Sequence, residues 1–189
     1  MKQLSIYLLT MIFTLQVYSQ YDFRKTNWGM TKAQVLASET SEITPEENNN
    51  SLSYKGTVND LDCFIIYVFA FDTLIRAQYN IFEERKNSNQ YIRDYEGLKK
   101  ILTEKYGQPE KDRVTWLNDM YQDNVNDWGL AVSIGQLAYF SEWLTETTDI
   151  WLMLQGDNYR ITFVVEYTSL KYASLIKEVE EEEKEFDEL

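Results

Sequence analysis

The run Trp28-Gly29-Met30-Thr31-Lys32-Ala33-Gln34-Val35 constrains this chain more tightly than any other, because its side chains define where a helix begins and how the chain enters it. Thr31 is placed to be the N-cap, its hydroxyl accepting the backbone N–H of Gln34, while the Gln34 side chain reaches back to the Thr31 N–H. Met30 before the cap and Val35 at the fourth helical position can close as a hydrophobic staple, and Gly29 lets the backbone bend into the entry. Gly29, Met30, Thr31, Gln34 and Val35 therefore read as a structural helix start, with the helix over 32–39.

A second helix is expected over 89–106, where Ile92, Tyr95, Leu98, Leu102 and Tyr106 share one face and Lys99, Lys100 and Glu104 lie elsewhere. Gly107 with Pro109 two residues on marks its end, and Lys105 suits the dipole of the last turn. Each helix precedes a meander. Alternation and turn residues predict strands over 52–58, 63–71 and 74–82 after the first, joined at Asn59-Asp60 and Asp72-Thr73. After the second they predict strands over 113–117, 130–134, 137–144, 149–155 and 159–167, with a polar loop from 118 to 128 and a hairpin turn across Gly156-Asp157-Asn158. Trp151 and Met153 fall on the opposite face from Ile150 and Leu152, so that face is expected to be covered by a helix. The fold class is α+β: an antiparallel sheet built from two successive helix-then-meander halves, about 23–84 and 88–168, with helices packed on one face and an acidic C-terminal helix over 169–189.

Residues 1–19 read as a signal peptide, with Lys2 ahead of a mostly apolar stretch from Leu4 to Val17 that Ser5, Thr10, Thr14 and Gln16 interrupt. The mature protein would start at Gln20, be exported to the periplasm or the extracellular space, and keep no transmembrane anchor. The remainder, 20–168, is expected to be a single domain. With 18 basic against 31 acidic residues the net charge is −13, which disfavours nucleic acid and anionic membrane surfaces. Eight of the acids lie in 177–189 against Lys177 and Lys184, so the tail alone carries much of the excess. There is one cysteine, Cys63, in an apolar strand, and no histidine, which excludes an intramolecular disulfide, Ser-His-Asp and Cys-His machinery and the usual zinc sets. No cofactor and no metal site is expected.

Gly29-Met30-Thr31-x-x-Gln34-Val35 resembles the opening of a bacterial envelope module found in the small lipoprotein of the outer-membrane β-barrel assembly machinery and in secreted β-lactamase inhibitor proteins. Tyr106-Gly107-Gln108-Pro109 is similar to the ending of the helical part in such modules. The resemblance implies export, helices on one face of an antiparallel sheet, and activity by binding rather than chemistry. The second half has no Gly-Met-Thr start of its own, no lipid-accepting cysteine stands near residue 19, and the inhibitors' disulfides cannot form here.

The candidate contact region is the 118–129 loop and the surface of the second meander. Asp119, Tyr121, Asp123, Asp127 and Trp128 are the candidate partner-binding residues, with Tyr121 and Trp128 as aromatic anchors. The partner class is a protein or glycan of the cell envelope. A calcium register in this loop fails, since placing Gly129 at the sixth position puts Trp128 where an oxygen ligand belongs. The alternative function is a carbohydrate-active hydrolase using paired carboxylates.

Overall fold

In a computed structural model of the chain, residues 21–39, 46–47 and 50–177 are described. The signal-like segment 1–19 and the acidic stretch after 177 lie outside the described residues. The elements run α1 (Lys32–Ser38), β1 (Glu46–Glu47), β2 (Ser51–Val58), β3 (Leu61–Ala70), β4 (Thr73–Ile81), α2 (Asn89–Tyr106), β5 (Lys111–Trp116), a 3₁₀ turn (Val125–Asp127), α3 (Trp128–Ser133), β6 (Leu137–Leu144), β7 (Thr148–Asp157) and β8 (Arg160–Ser169). The fold is mixed α+β and mostly sheet.

The helix start forms as its chemistry dictates. The Gln34 N–H donates to Thr31 Oγ1 at 3.3 Å and the Thr31 N–H donates to Gln34 Oε1 at 2.9 Å. Val35 is fully buried and Met30 packs against the same cluster. Gly29 adopts a φ of +90°, and its N–H donates to the Leu74 carbonyl at 2.9 Å, tying the entry of α1 to β4. The Asp72 carboxylate accepts the Lys32 N–H at 2.9 Å, a second anchor from the β3–β4 turn onto the first turn of α1.

All eight strands form one antiparallel sheet in the order β1-β2-β3-β4-β8-β7-β6-β5. The last strands of the two meanders, β4 and β8, pair at its centre, with Ala77 opposite Tyr167 and Tyr79 opposite Val165. Three two-residue turns carry positive φ at both positions: Asn59-Asp60, Phe71-Asp72 and Asn158-Tyr159. This is the type I′ signature, whose twist matches that of the flanking strands. It moves the β3–β4 turn one residue back from Asp72-Thr73 and the β7–β8 turn two residues beyond Gly156. The ladder runs on through Gly156 opposite Ile161 and Asp157 opposite Arg160, since every extra cross-strand pair is gained at no cost in burial.

One face holds the core. Tyr54, Ile65, Tyr67, Ala77, Leu152, Phe163, Val165 and Tyr167 pack there with Val35 of α1, Tyr95, Leu98 and Leu102 of α2 and Ala131 and Val132 of α3. Burial of this apolar area is the main stabilising term. On the other face the expected covering helix is absent among the described residues. Trp151 and Met153 stay half-buried, and the Trp151 ring stacks on Phe140 with centroids 6.4 Å apart. Neighbouring side chains on adjacent strands shield each other there, so no further layer is required. Residues 173–177 are helical and seat Ile176 against Ala70 and Ile75.

The expected strand over 130–134 is instead the end of α3. A short apolar run fits a buried strand and a buried helix equally well by pattern. Tertiary contact decides it: the Asn89 amide of α2 donates to the carbonyls of Val125 and Asn126, and its oxygen accepts the Gly129 N–H. A Cβ at Gly129 would lie 2.2 Å from the Asn89 nitrogen, so this approach of α3 to α2 requires glycine.

Candidate interaction surface

The 118–129 segment links edge strand β5 to α3. Trp128 opens α3, and its ring meets Trp116 edge-on at 5.8 Å while its indole N–H donates to the Gln122 carbonyl at 3.1 Å. Tyr121 and Trp128 both pack against the main core. The two aromatics expected to face a partner therefore hold the loop down, because a large ring gains more from core contact than from water. Asp119 and Asp123 are exposed, and Asp127 accepts the Asn124 amide at 2.7 Å. These carboxylates form no metal cluster among the described residues.

The loop also exposes aliphatic side chains. Leu117, Met120 and Val125 are 73%, 75% and 62% exposed, and Val114 and Leu130, on the flanking elements, are exposed as well. In sequence these apolar side chains alternate with the exposed Asp119 and Asp123. Pattern reading passed over these residues because aliphatics default to the core. The signal lay in their lack of period: spread among Asn118, Asp119, Gln122, Asp123 and Asn124, they fit neither helix nor strand spacing.

The chain matches no protein-family model, no curated protein and no solved structure. A cleft of about 470 Å³ opens between the end of α2, the β6–β7 turn and residues 21–22, lined by Tyr21, Lys105, Tyr106, Glu146 and Ile150 among others. Its threonine hydroxyls are already engaged. Thr147 Oγ1 donates to Asp22 Oδ1 at 2.6 Å, the Trp28 N–H to Asp22 Oδ2 at 2.9 Å, and the Trp28 indole N–H to Thr148 Oγ1 at 2.9 Å. This network clasps the segment ahead of α1 onto the β6–β7 turn.

A second polar cluster lies over the core. Arg24 bonds Glu39, whose carboxylate also accepts the Tyr67 hydroxyl. Burial, followed by that hydrogen bond to Glu39, pushes the Tyr67 hydroxyl far above its ordinary range. Cys63, beneath Gly56, is fully buried and its thiol is pushed up to about 11 by burial, so it stays protonated and inert near neutral pH. On the open face, burial and then Glu142 raise the Asp149 carboxyl, and its Oδ1 is buried without a hydrogen-bond partner.

Proposed function

We propose that this chain is an exported binding module of the cell envelope or extracellular space that holds a protein partner through the 117–130 surface. The observation that carries the reading is that Leu117, Met120 and Val125 are all exposed, with Asp119 and Asp123 between them in sequence, on a segment that Tyr121 and Trp128 pack onto the core. An aliphatic patch on a rigid support binds without a large ordering cost. The finer architecture belongs to the same proposal. Helix and meander occur twice and the halves meet at β4 and β8, which supports a two-unit module of the kind the Gly-Met-Thr start resembles. The acidic C-terminal helix and cleavage after Ser19 complete it.

The test is affinity capture from the native envelope and medium, comparing the wild type with a Leu117→Ser/Met120→Ser/Val125→Ser variant. Loss of one defined partner in the triple variant, with its melting temperature unchanged, is the expected result. Retention of that partner would move the interface elsewhere, and no partner for either protein would remove the module reading.

One observation keeps a hydrolase as the second reading. Asp149, with its raised carboxyl, and Glu142 lie on the open face next to the half-exposed Trp151, which sits directly opposite Glu142. A carboxyl whose proton is held more tightly than usual, beside another acid and an aromatic platform, is the kind of arrangement from which a general acid is built. Turnover of a glycan panel that Asp149→Asn abolishes would favour it; no turnover by the wild type would end it.

A further inference from the structure

β5 is the last strand of the sheet, and among the described residues no strand follows it. The direction of its backbone groups can be read from the ladders. Leu117 N–H donates to the Gln136 carbonyl, and Thr145 N–H donates to the Thr148 carbonyl. With the β5–β6 and β6–β7 registers, both bonds place Lys111, Arg113 and Thr115 in hydrogen-bonded pairs with β6. By the alternation of an antiparallel ladder, the N–H and C=O groups of Asp112, Val114 and Trp116 then point outward. An edge of this kind is a template for another strand unless charges guard it.

Two of the three charged side chains of this strand are turned away, and Arg113 is the third. Asp112 accepts the Ser141 hydroxyl at 2.8 Å and pairs with Lys99 of α2 at 3.3 Å, while Lys111 pairs with Glu142 of β6. Both side chains are drawn back over their own sheet. Val114, the next residue whose backbone points outward, is exposed and uncharged, and α2 and α3 pack on β6, β7 and β8.

We propose that β5 pairs antiparallel with β5 of a second copy of this chain, giving a two-fold dimer with one continuous sheet. The charges select the register. Centring on Asp112 would set Asp112 against Asp112 and Lys111 against Arg113, and centring on Arg113 would set Arg113 against itself. Centring on Val114 sets Asp112 opposite Trp116, Arg113 opposite Thr115 and Lys111 opposite Leu117, with no like charges facing. It also lets the outward groups of Asp112, Val114 and Trp116 all exchange bonds with the partner. Each copy carries −13, so association tightens as salt rises.

Sedimentation equilibrium over a concentration series tests this. The expected mass climbs from that of the 22.5 kDa chain, less any leader removed on export, to twice that value, more readily at higher salt. Val114→Pro, which removes an outward N–H but no β5–β6 bond, and Val114→Lys, which sets like charges on the axis, both remain monomeric. Val114→Thr still dimerises. Val114→Cys forms a covalent dimer on oxidation and Asp112→Cys does not, because only residue 114 meets its own copy. A wild type that stays monomeric throughout, or a dimer that survives both Val114→Pro and Val114→Lys, overturns the proposal. A wild type that stays monomeric overturns the dimer alone, because the partner surface is tested by capture with Leu117, Met120 and Val125 replaced and Val114 kept.

Discussion

Arg24 forks onto Glu39, its Nε and one terminal nitrogen reaching the two carboxylate oxygens at 2.9 and 3.2 Å. This joins the segment before α1 to the residue that ends it, and the Glu39 side chain is only 5% exposed. Arg24 holds a φ of +50° to make the contact, a conformation uncommon outside glycine and asparagine.

Removing either partner leaves a buried polar group behind. Arg24→Ala is expected to cost about 2 kcal/mol, below the figure for a fully buried pair because 32% of the Arg24 side chain remains in water. Urea denaturation of Arg24→Ala, Glu39→Gln and the double variant should show the double costing less than the sum of the singles. Additive costs would mean that the two residues act independently.

Asp149→Asn is expected to raise stability at neutral pH by on the order of 1 kcal/mol, since the carboxylate there is half-buried beside Glu142 and one oxygen has no partner. The sign follows from linkage. A carboxyl whose folded pKa is raised favours the folded state while protonated and loses that contribution as pH rises through its folded value. The advantage of the asparagine variant should therefore shrink as pH falls into the carboxylate range, and a gain independent of pH would point to another cause.

Alkali should unfold this protein early. Burial holds the Cys63 thiol up to about 11 against an ordinary 9.0, and the Tyr139 hydroxyl up to about 12 against 10.0. Both groups are neutral when protonated, so the folded state keeps protons that the unfolded chain releases, and stability falls between pH 9.0 and about 12. Denaturant midpoints measured across that window should drop steadily, and Cys63→Ala should drop less over its lower part.

Gly129→Ala should destabilise by about 3 kcal/mol, because the new methyl meets the Asn89 backbone at 2.2 Å and α3 must shift off α2. Trp128→Ala should cost a similar amount through lost contact with Trp116 and the core. By contrast, serine at Leu117, Met120 and Val125 should stay within about 0.5 kcal/mol of wild type. Thermal melts of the three proteins would expose any reversal of this order.

Phe71 occupies the first positive-φ position of the β3–β4 turn, at +49°, with its ring 75% exposed. Phe71→Asn should stabilise by roughly 0.5 kcal/mol, since asparagine accepts that conformation readily and no packing is lost. Asp72 must stay, because its carboxylate holds the Lys32 N–H.

Local chemistry was sufficient wherever a residue's partners lie within a few positions of it. The Thr31–Gln34 box formed as read, α2 spans Asn89–Tyr106 as expected from its apolar face and Gly107, and β6 spans Leu137–Leu144. Turn positions slipped by one or two residues, because hairpin register is set by the whole ladder rather than by the turn residues alone. Where the partner is distant in sequence, tertiary structure decided. Asn89 helped to turn 128–133 into a helix from forty positions away, by accepting the Gly129 N–H where α3 comes closest to α2. The same cause placed Trp128: whether its ring reaches the core depends on where Trp116 sits, and only the folded sheet brings those rings together. Apolar pattern by itself determined that this chain buries one face of an antiparallel sheet under helices. Which aliphatics were left outside, and which edge was left open, depended on long-range packing that no local pattern encodes.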